Sequence, residues 1–199
     1  MNRCTVTNCP RSVVGKGLCS RHWQQDRKHG HVITTVARTH SPILEKDGHI
    51  QVGLLDVFDN LVGWTLISPE DVFLVRGKKL RSDKGAYAVF FGTRRMGYLH
   101  RALLPGVKEI DHVNGDGLDN RRENIRPATR SQNSANKLAK GTKGVRRRGN
   151  RYEAYISAKA SGGKSWHYLG MYCTKEEAAL AYNRAAREQW GEFARLNTL

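Results

Sequence analysis

The chain of 199 residues has no apolar run long enough to cross a bilayer, which excludes a membrane-spanning helix. Its N-terminus lacks the apolar core of a secretory signal, so a cytoplasmic location is expected. Cysteine is scarce: four residues, which in a reducing compartment are better read as metal ligands than as disulfides. Acidic residues are also scarce, 18 Asp+Glu against 34 Lys+Arg, for a formal net charge of +16. An excess of that sign favours a polyanionic partner and fast, salt-sensitive association. No aromatic platform of the kind that stacks single-stranded bases is evident, which argues against an RNA substrate and for double-stranded DNA.

The basic excess is uneven. Residues 1–30 carry six basic residues against one acidic, and residues 137–172 carry nine against one. Residues 99–136 are nearly balanced, with six against five. The two basic segments therefore flank a central stretch, as expected if they hold DNA on either side of it.

That central stretch is dense in groups that do chemistry: Glu109-Ile110-Asp111-His112-Val113-Asn114-Gly115-Asp116-Gly117, then Asp119-Asn120-Arg121-Arg122-Glu123-Asn124-Ile125-Arg126, then Ser131-Gln132-Asn133. Val107 to His112 reads as a short strand halted by Asn-Gly and Asp-Gly turn signals. Thr129 followed by Gln132 matches a capping box, so a helix opens there with Asn133 in its first turn. Asp111 and Asn133 offer hard oxygen ligands suited to a magnesium-like ion. His112 is the side chain best able to take a proton from water near neutral pH. Its second ring nitrogen needs an acceptor, and Asn124 is a candidate.

These residues, in this order, resemble the active-site segment of the HNH endonucleases, in the form found in phage-borne homing endonucleases. The resemblance implies His112 as general base, Asp111 and Asn133 as ligands of Mg2+ (or Mn2+), and Asn124 as the residue that orients His112. The last letter of the family name is met by Asn133 rather than His. His100-Arg101 sits where the family carries an upstream His-Arg pair, and His100 is equally open to a structural role. Arg101, Arg121, Arg122 and Arg126 are candidate phosphate clamps.

Cys4-x4-Cys9-x9-Cys19-x2-His22 supplies three thiolates and an imidazole, a full tetrahedral shell for Zn2+. With all four positions taken by protein the zinc is expected to be structural, and a segment this small would draw its folding energy from the metal. Trp23 to Lys28 reads as a short basic helix. The unit resembles small zinc-binding heads attached to phage HNH proteins. Cys173 has no partner in sequence.

Between head and motif, Val52 to Val57, Val62 to Ile67, Asp71 to Arg76 and Ala86 to Phe91 read as short strands of an antiparallel sheet. At the other end, Gly144 to Arg148 leads into an alternating strand from Tyr152 to Ala158. A Gly162-Gly163 turn and a strand from Trp166 to Gly170 follow. Thr174 and Glu177 form a capping box, and Ala178, Ala181, Tyr182, Ala185, Ala186 and Trp190 recur at helical spacing until Gly191. Three strands on one helix resemble the plant APETALA/ethylene-response-factor DNA-binding domain, although Gly149-Asn150 stands where plant members have a Trp. If Ala154, Ile156 and Leu169 face the helix, then Glu153, Tyr155, Trp166 and Tyr168 face away. Arg146, Arg148, Tyr155 and Trp166 are then the candidate DNA contacts.

The expected protein is α+β: a zinc-binding head over 1–30, an antiparallel β region over 31–98, an HNH ββα-metal motif over 99–140 and a DNA-binding domain over 141–199. It is read as a monomeric endonuclease acting on double-stranded DNA, in a host cytoplasm should it be phage-encoded. The alternative is a non-catalytic, sequence-specific DNA-binding regulator built from the same modules.

Overall fold

A computed structural model describes residues 3–6, 9, 11–29, 39–91, 97–160 and 163–199. The fold is mixed α+β, and the chain divides into two compact units. The first takes residues 1–106 and 116–124; the second takes 107–115 and 125–199. The expected HNH stretch thus contributes to both.

The first unit opens on the cysteine-rich head. Lys16 and Gly17 adopt positive φ and turn the chain back so that Cys19 immediately precedes helix α1 (Ser20–His29). Cys4, Leu18 and Cys19 form a small buried cluster under Val6, Cys9 and Trp23. From α1, Arg21 reaches the buried carboxylate of Asp59 at 3.0 Å, which Lys79 meets from its other oxygen at 2.9 Å.

A sheet follows, built from β1 (Ile43–Lys46), β2 (His49–Leu55), β3 (Leu61–Ile67), β4 (Leu80–Asp83) and β5 (Tyr87–Phe90). Its order is β5-β4-β2-β3, with β1 also paired to β2. Asp47-Gly48 and Lys84-Gly85, all at positive φ, make the two tight hairpins. Leu54 and Leu55 are both buried because the β2–β3 register slips between them. Together with Val52, Ile67, Val75, Leu80, Ala88 and Leu99 they form the core.

Asp71 to Arg76, expected as a strand, is helical: a 3-10 turn over Pro69–Asp71 runs into α2 (Val72–Val75). Pro69 pre-sets the turn, and Asp71 and Val75, four residues apart, are the buried pair, a helical rather than a strand period. The sequence reading also missed β1 and β4, whose charged residues mask them, and the short helix α3 (Leu99–Leu103).

The second unit contains β6 (Ile110–His112), which pairs antiparallel with β8 (Ile125–Pro127), and α4 (Arg130–Asn136). Between β6 and β8 the chain adds β7 (Asp119–Asn120) to the first unit, parallel to β3. Gly117 is required here: a Cβ would collide with the Ala86 carbonyl and the Tyr87 ring.

The rest of the second unit is the expected three strands on one helix. Strands β9 (Val145–Arg148), β10 (Arg151–Ala160) and β11 (Gly163–Tyr172) form a sheet in the order β11-β10-β9, against α5 (Lys175–Trp190). Gly162 of the anticipated turn lies outside the described residues. Thr174 and Glu177 close the capping box, and Gly191 ends α5 at φ 55. Ile156, Tyr182 and Ala186 make the core with Leu169, Ala185 and Trp190, as the alternation predicts. Trp166 and Tyr168 are exposed on the strands. Glu153 departs from the pattern: it is buried, held by the Tyr155 hydroxyl at 2.9 Å and Arg148 at 3.0 Å. Cys173 is an exposed thiol.

Candidate active site and metal centre

The strand pair β6–β8 and helix α4 bring the central residues together. Asp111 faces Arg126 across the ladder, and His112 faces Ile125. Thr129 caps α4 through the backbone N–H of Gln132, while the Gln132 side chain accepts from the Thr129 N–H, so the capping box forms as expected. The cap fixes where α4 starts, and so which of its side chains reach β6. Asn133 donates its amide to the Ile110 carbonyl at 3.2 Å. One turn further on, Asn136 donates to both Asp111 carboxylate oxygens (3.0 and 3.1 Å) and to the carbonyls of His112 (2.7 Å) and Val113 (3.2 Å).

Asp111 and His112 are both buried. The Asp111 carboxylate is paired with Arg126, whose Nε lies 3.0 Å and Nη2 2.9 Å from Oδ2. Asn136 was missed by sequence reasoning. The signal for it is its spacing, Asn133-x2-Asn136, which puts both amides on one face of α4. Asn124 lies in the first unit, where its amide nitrogen donates to the Asp119 carbonyl at 2.7 Å.

The arginines expected as phosphate clamps have protein partners. Arg121 grips Asp119 through Nε and Nη2, both at 2.8 Å, and also meets Glu123. Arg122 holds the buried Asp71 through Nε at 2.9 Å and Nη2 at 2.6 Å. Arg126 bridges Asp111 and Glu192. Arg101 lies on α3, next to the buried His100, whose ring stacks on Tyr98 and meets Tyr87 edge-on. On the C-terminal sheet Arg146 is exposed, Arg148 is tied to Glu153, and Tyr155 contacts Tyr168 at 5.3 Å between ring centres. Hydrogen bonding from Tyr155 holds the Glu153 carboxyl below the usual range despite its burial, with help from Arg148.

The head assembles a metal-ligand set. The ligand atoms of Cys4, Cys9, Cys19 and His22 all lie within 4.8 Å of one another. Cys4 Sγ is 3.1 Å from His22 Nδ1, Cys19 Sγ is 3.5 Å from the same nitrogen, and Cys9 and Cys19 sulfurs are 3.9 Å apart. Burial pushes the Cys4 thiol up, but hydrogen bonds from His22 and neighbouring backbone outweigh it and bring the pKa to about 6. Burial raises the Cys9 thiol. A soft, closed set of three sulfurs and one imidazole nitrogen fits zinc.

No helix among the described residues is long and apolar enough to cross a membrane.

Comparison with known proteins places these geometries in context. Residues 94–135 match the family described as HNH endonuclease. An uncharacterized HNH endonuclease of Acanthamoeba polyphaga mimivirus is 32% identical over 152 residues, 71% of this chain and 74% of that protein. The ethylene-responsive transcription factor LEP of Arabidopsis thaliana is 53% identical over 55 residues, 27% of this chain and a quarter of its own length (25%). No solved structure is a significant match.

Proposed function

Because this chain belongs to the HNH endonuclease family, we propose that it is a metal-dependent, homing-type endonuclease that hydrolyses phosphodiester bonds in double-stranded DNA, with His112 as general base. The observation that carries the reading is that Asp111 and His112, consecutive and buried on β6, lie against α4 at one strand–helix corner, where Asn133 of α4 bonds to the Ile110 carbonyl and Asn136 bonds to the Asp111 carboxylate and the His112 carbonyl.

The donor set at that corner fits a hard cation. Asp111 would contribute carboxylate oxygen, and the Asn133 amide, its nitrogen engaged with Ile110, would contribute its oxygen. Bound there, Mg2+ or Mn2+ would polarise the phosphoryl group and stabilise charge on the departing 3′ oxygen. His112 takes a proton from the attacking water on an imidazole nitrogen, which makes that water a nucleophile near neutral pH. Asn124 keeps, as a proposal, the orienting role that the resemblance gave it; its amide nitrogen donates to the Asp119 carbonyl. Asn136 holds the carbonyls of His112 and Val113, the backbone that directly follows the imidazole, and so steadies the strand that carries it.

Cys4, Cys9, Cys19 and His22 are proposed to bind one structural zinc. The C-terminal sheet is proposed to dock on duplex DNA, with Arg146, Tyr155, Trp166 and Tyr168 as its contact residues. The plant relative's name as a transcription factor supports a DNA-facing role for this region. Arg101, Arg121, Arg122 and Arg148 are proposed to contribute positive field and to reach phosphate only by leaving their acidic partners where they have one. As a monomer with one such centre, the chain would cut one strand per binding event.

The test is cleavage of supercoiled DNA in magnesium or manganese against a chelator, for the native protein and His112→Ala. Expected is metal-dependent nicking or linearisation that the substitution lowers by a factor of at least about 100 while DNA binding persists. Binding by the native protein with no cut on any duplex tested would favour a non-catalytic regulator.

A further inference from the structure

Arg126 was expected to clamp phosphate, yet its guanidinium lies against the carboxylate that the proposed reading assigns to the metal. Its Nε and Nη2 sit 3.0 and 2.9 Å from Asp111 Oδ2. The side chains are 16% and 3% exposed, so little water screens the pair. The same guanidinium has a second set of partners: Glu192 Oε2 at 3.1 Å, the Glu192 carbonyl at 3.3 Å, and the face of Phe193, 3.8 Å from Cζ to the ring centre. Asn136 meanwhile occupies a further position on each Asp111 oxygen.

We propose that Arg126 is a resident counter-cation of Asp111 that competes with the divalent ion. Metal binds by taking the carboxylate from Arg126, which is then retained by Glu192 and Phe193. Two observations carry this. A dication brought to Asp111 meets a positive charge already within hydrogen-bond distance of the same oxygen, and that repulsion is strong where water is scarce. A displaced buried guanidinium needs other partners, and Glu192 and Phe193 are already in place for it. The arrangement keeps the buried carboxylate neutralised when no metal is bound. It also makes metal affinity depend on a residue that is not a ligand. The inference rests on the reading of Asp111 as a metal ligand.

The experiment is a Mn2+ titration of the full chain with its zinc loaded, following the electron paramagnetic resonance signal of free Mn2+. Asp111→Asn is expected to abolish the site; if Mn2+ binding persists there, the assignment of Asp111 as a ligand fails, and this proposal with it. Arg126→Gln is expected to tighten Mn2+ binding about tenfold, because a competing charge is gone. Arg126→Lys keeps that charge and is expected to stay within about threefold of the native affinity. If Asp111→Asn abolishes binding but Arg126→Gln binds no more tightly than the native chain, competition is overturned while the ligand assignment stands. A merely structural arginine would weaken binding on removal, the opposite sign. Should Arg126→Gln lose its cooperative melt, Glu192→Gln decides instead. Its side chain is 77% exposed, so folding is little affected, and removing it commits Arg126 to Asp111. Mn2+ affinity is expected to fall a few-fold, and an unchanged affinity overturns the proposal.

Discussion

At Gly144 the backbone has φ +70, and a Cβ would run into the Tyr182 ring and the Tyr155 carbonyl. Tyr155 N–H donates to the Gly144 carbonyl at 2.8 Å, so the glycine is pinned from both sides. Neither the ring nor the carbonyl can move cheaply, because Tyr182 is part of the buried core of that domain. Gly144→Ala is expected to cost about 3 kcal/mol or more and to be read as a lowered urea midpoint. At this scale the sequence can nominate a site only where chemistry-bearing residues stand close together in the chain. Asp111, His112 and Asn133 were legible as a candidate site because a strand end and a capped helix announce themselves locally. Asn136 was not, since an asparagine late in a short helix looks like solvated surface. Arg126 was read as a phosphate clamp because Glu192, its partner 66 residues further along, leaves no mark near it in the sequence.

Among elements, those with local punctuation were legible. Both capping boxes formed at the expected residues, because a Thr and a Gln or Glu three positions on satisfy each other whatever the tertiary context. Asp71 to Arg76 failed because its apolar run has no period of its own, and the burial of Asp71 against Arg122 was decided by a residue 51 positions away. The head is an element whose folding should follow the protonation of its cysteines. Cys4 titrates near 6 in the fold against an ordinary value of 9.0, so its thiolate contributes stability that is complete above the ordinary value and is lost as pH falls through about 6. Uptake of the proposed zinc is therefore expected to weaken as pH drops and to collapse below about 6, measured by competition with a chromophoric chelator at stepped pH. An affinity that does not change over that window would remove the thiolates from the site.

For the whole molecule, the sequence suggested four modules in line, yet the second unit joins the β6–β8 pair to the C-terminal domain. Arg195 donates its backbone N–H to the Ala135 carbonyl and its guanidinium to the Asn114 carbonyl. Lys143 donates to the carbonyls of Ala135 and Lys137. Asn197 ties the tail to Lys143 and Asn183. These bonds span up to 81 residues, and no local pattern foretells them. Removal of residues 141–199 is therefore expected to cost more than the proposed DNA contacts. By hydrogen exchange, the amides of β6 and β8 should lose protection while those of β2 and β3 keep it. Full protection of β6 and β8 in the shortened chain would mean that the C-terminal domain is only an appendage.

The detour of residues 116–124 into the first unit also bears on how the protein is made. A nascent chain leaves the ribosome from its N-terminus, so the edge of β3 stays open until Asp119 and Asn120 have emerged to cover it. Strand β6, with Asp111 and His112, has by then been synthesised but has no partner until Ile125–Pro127 follows, and α4 comes later still. The contacts from Glu192 and Arg195 come only after α5 has been made. The corner that carries Asp111 and His112 is thus assembled after the sheet of the first unit, and a translation product interrupted before Glu192 would carry that sheet without the contacts that hold the corner.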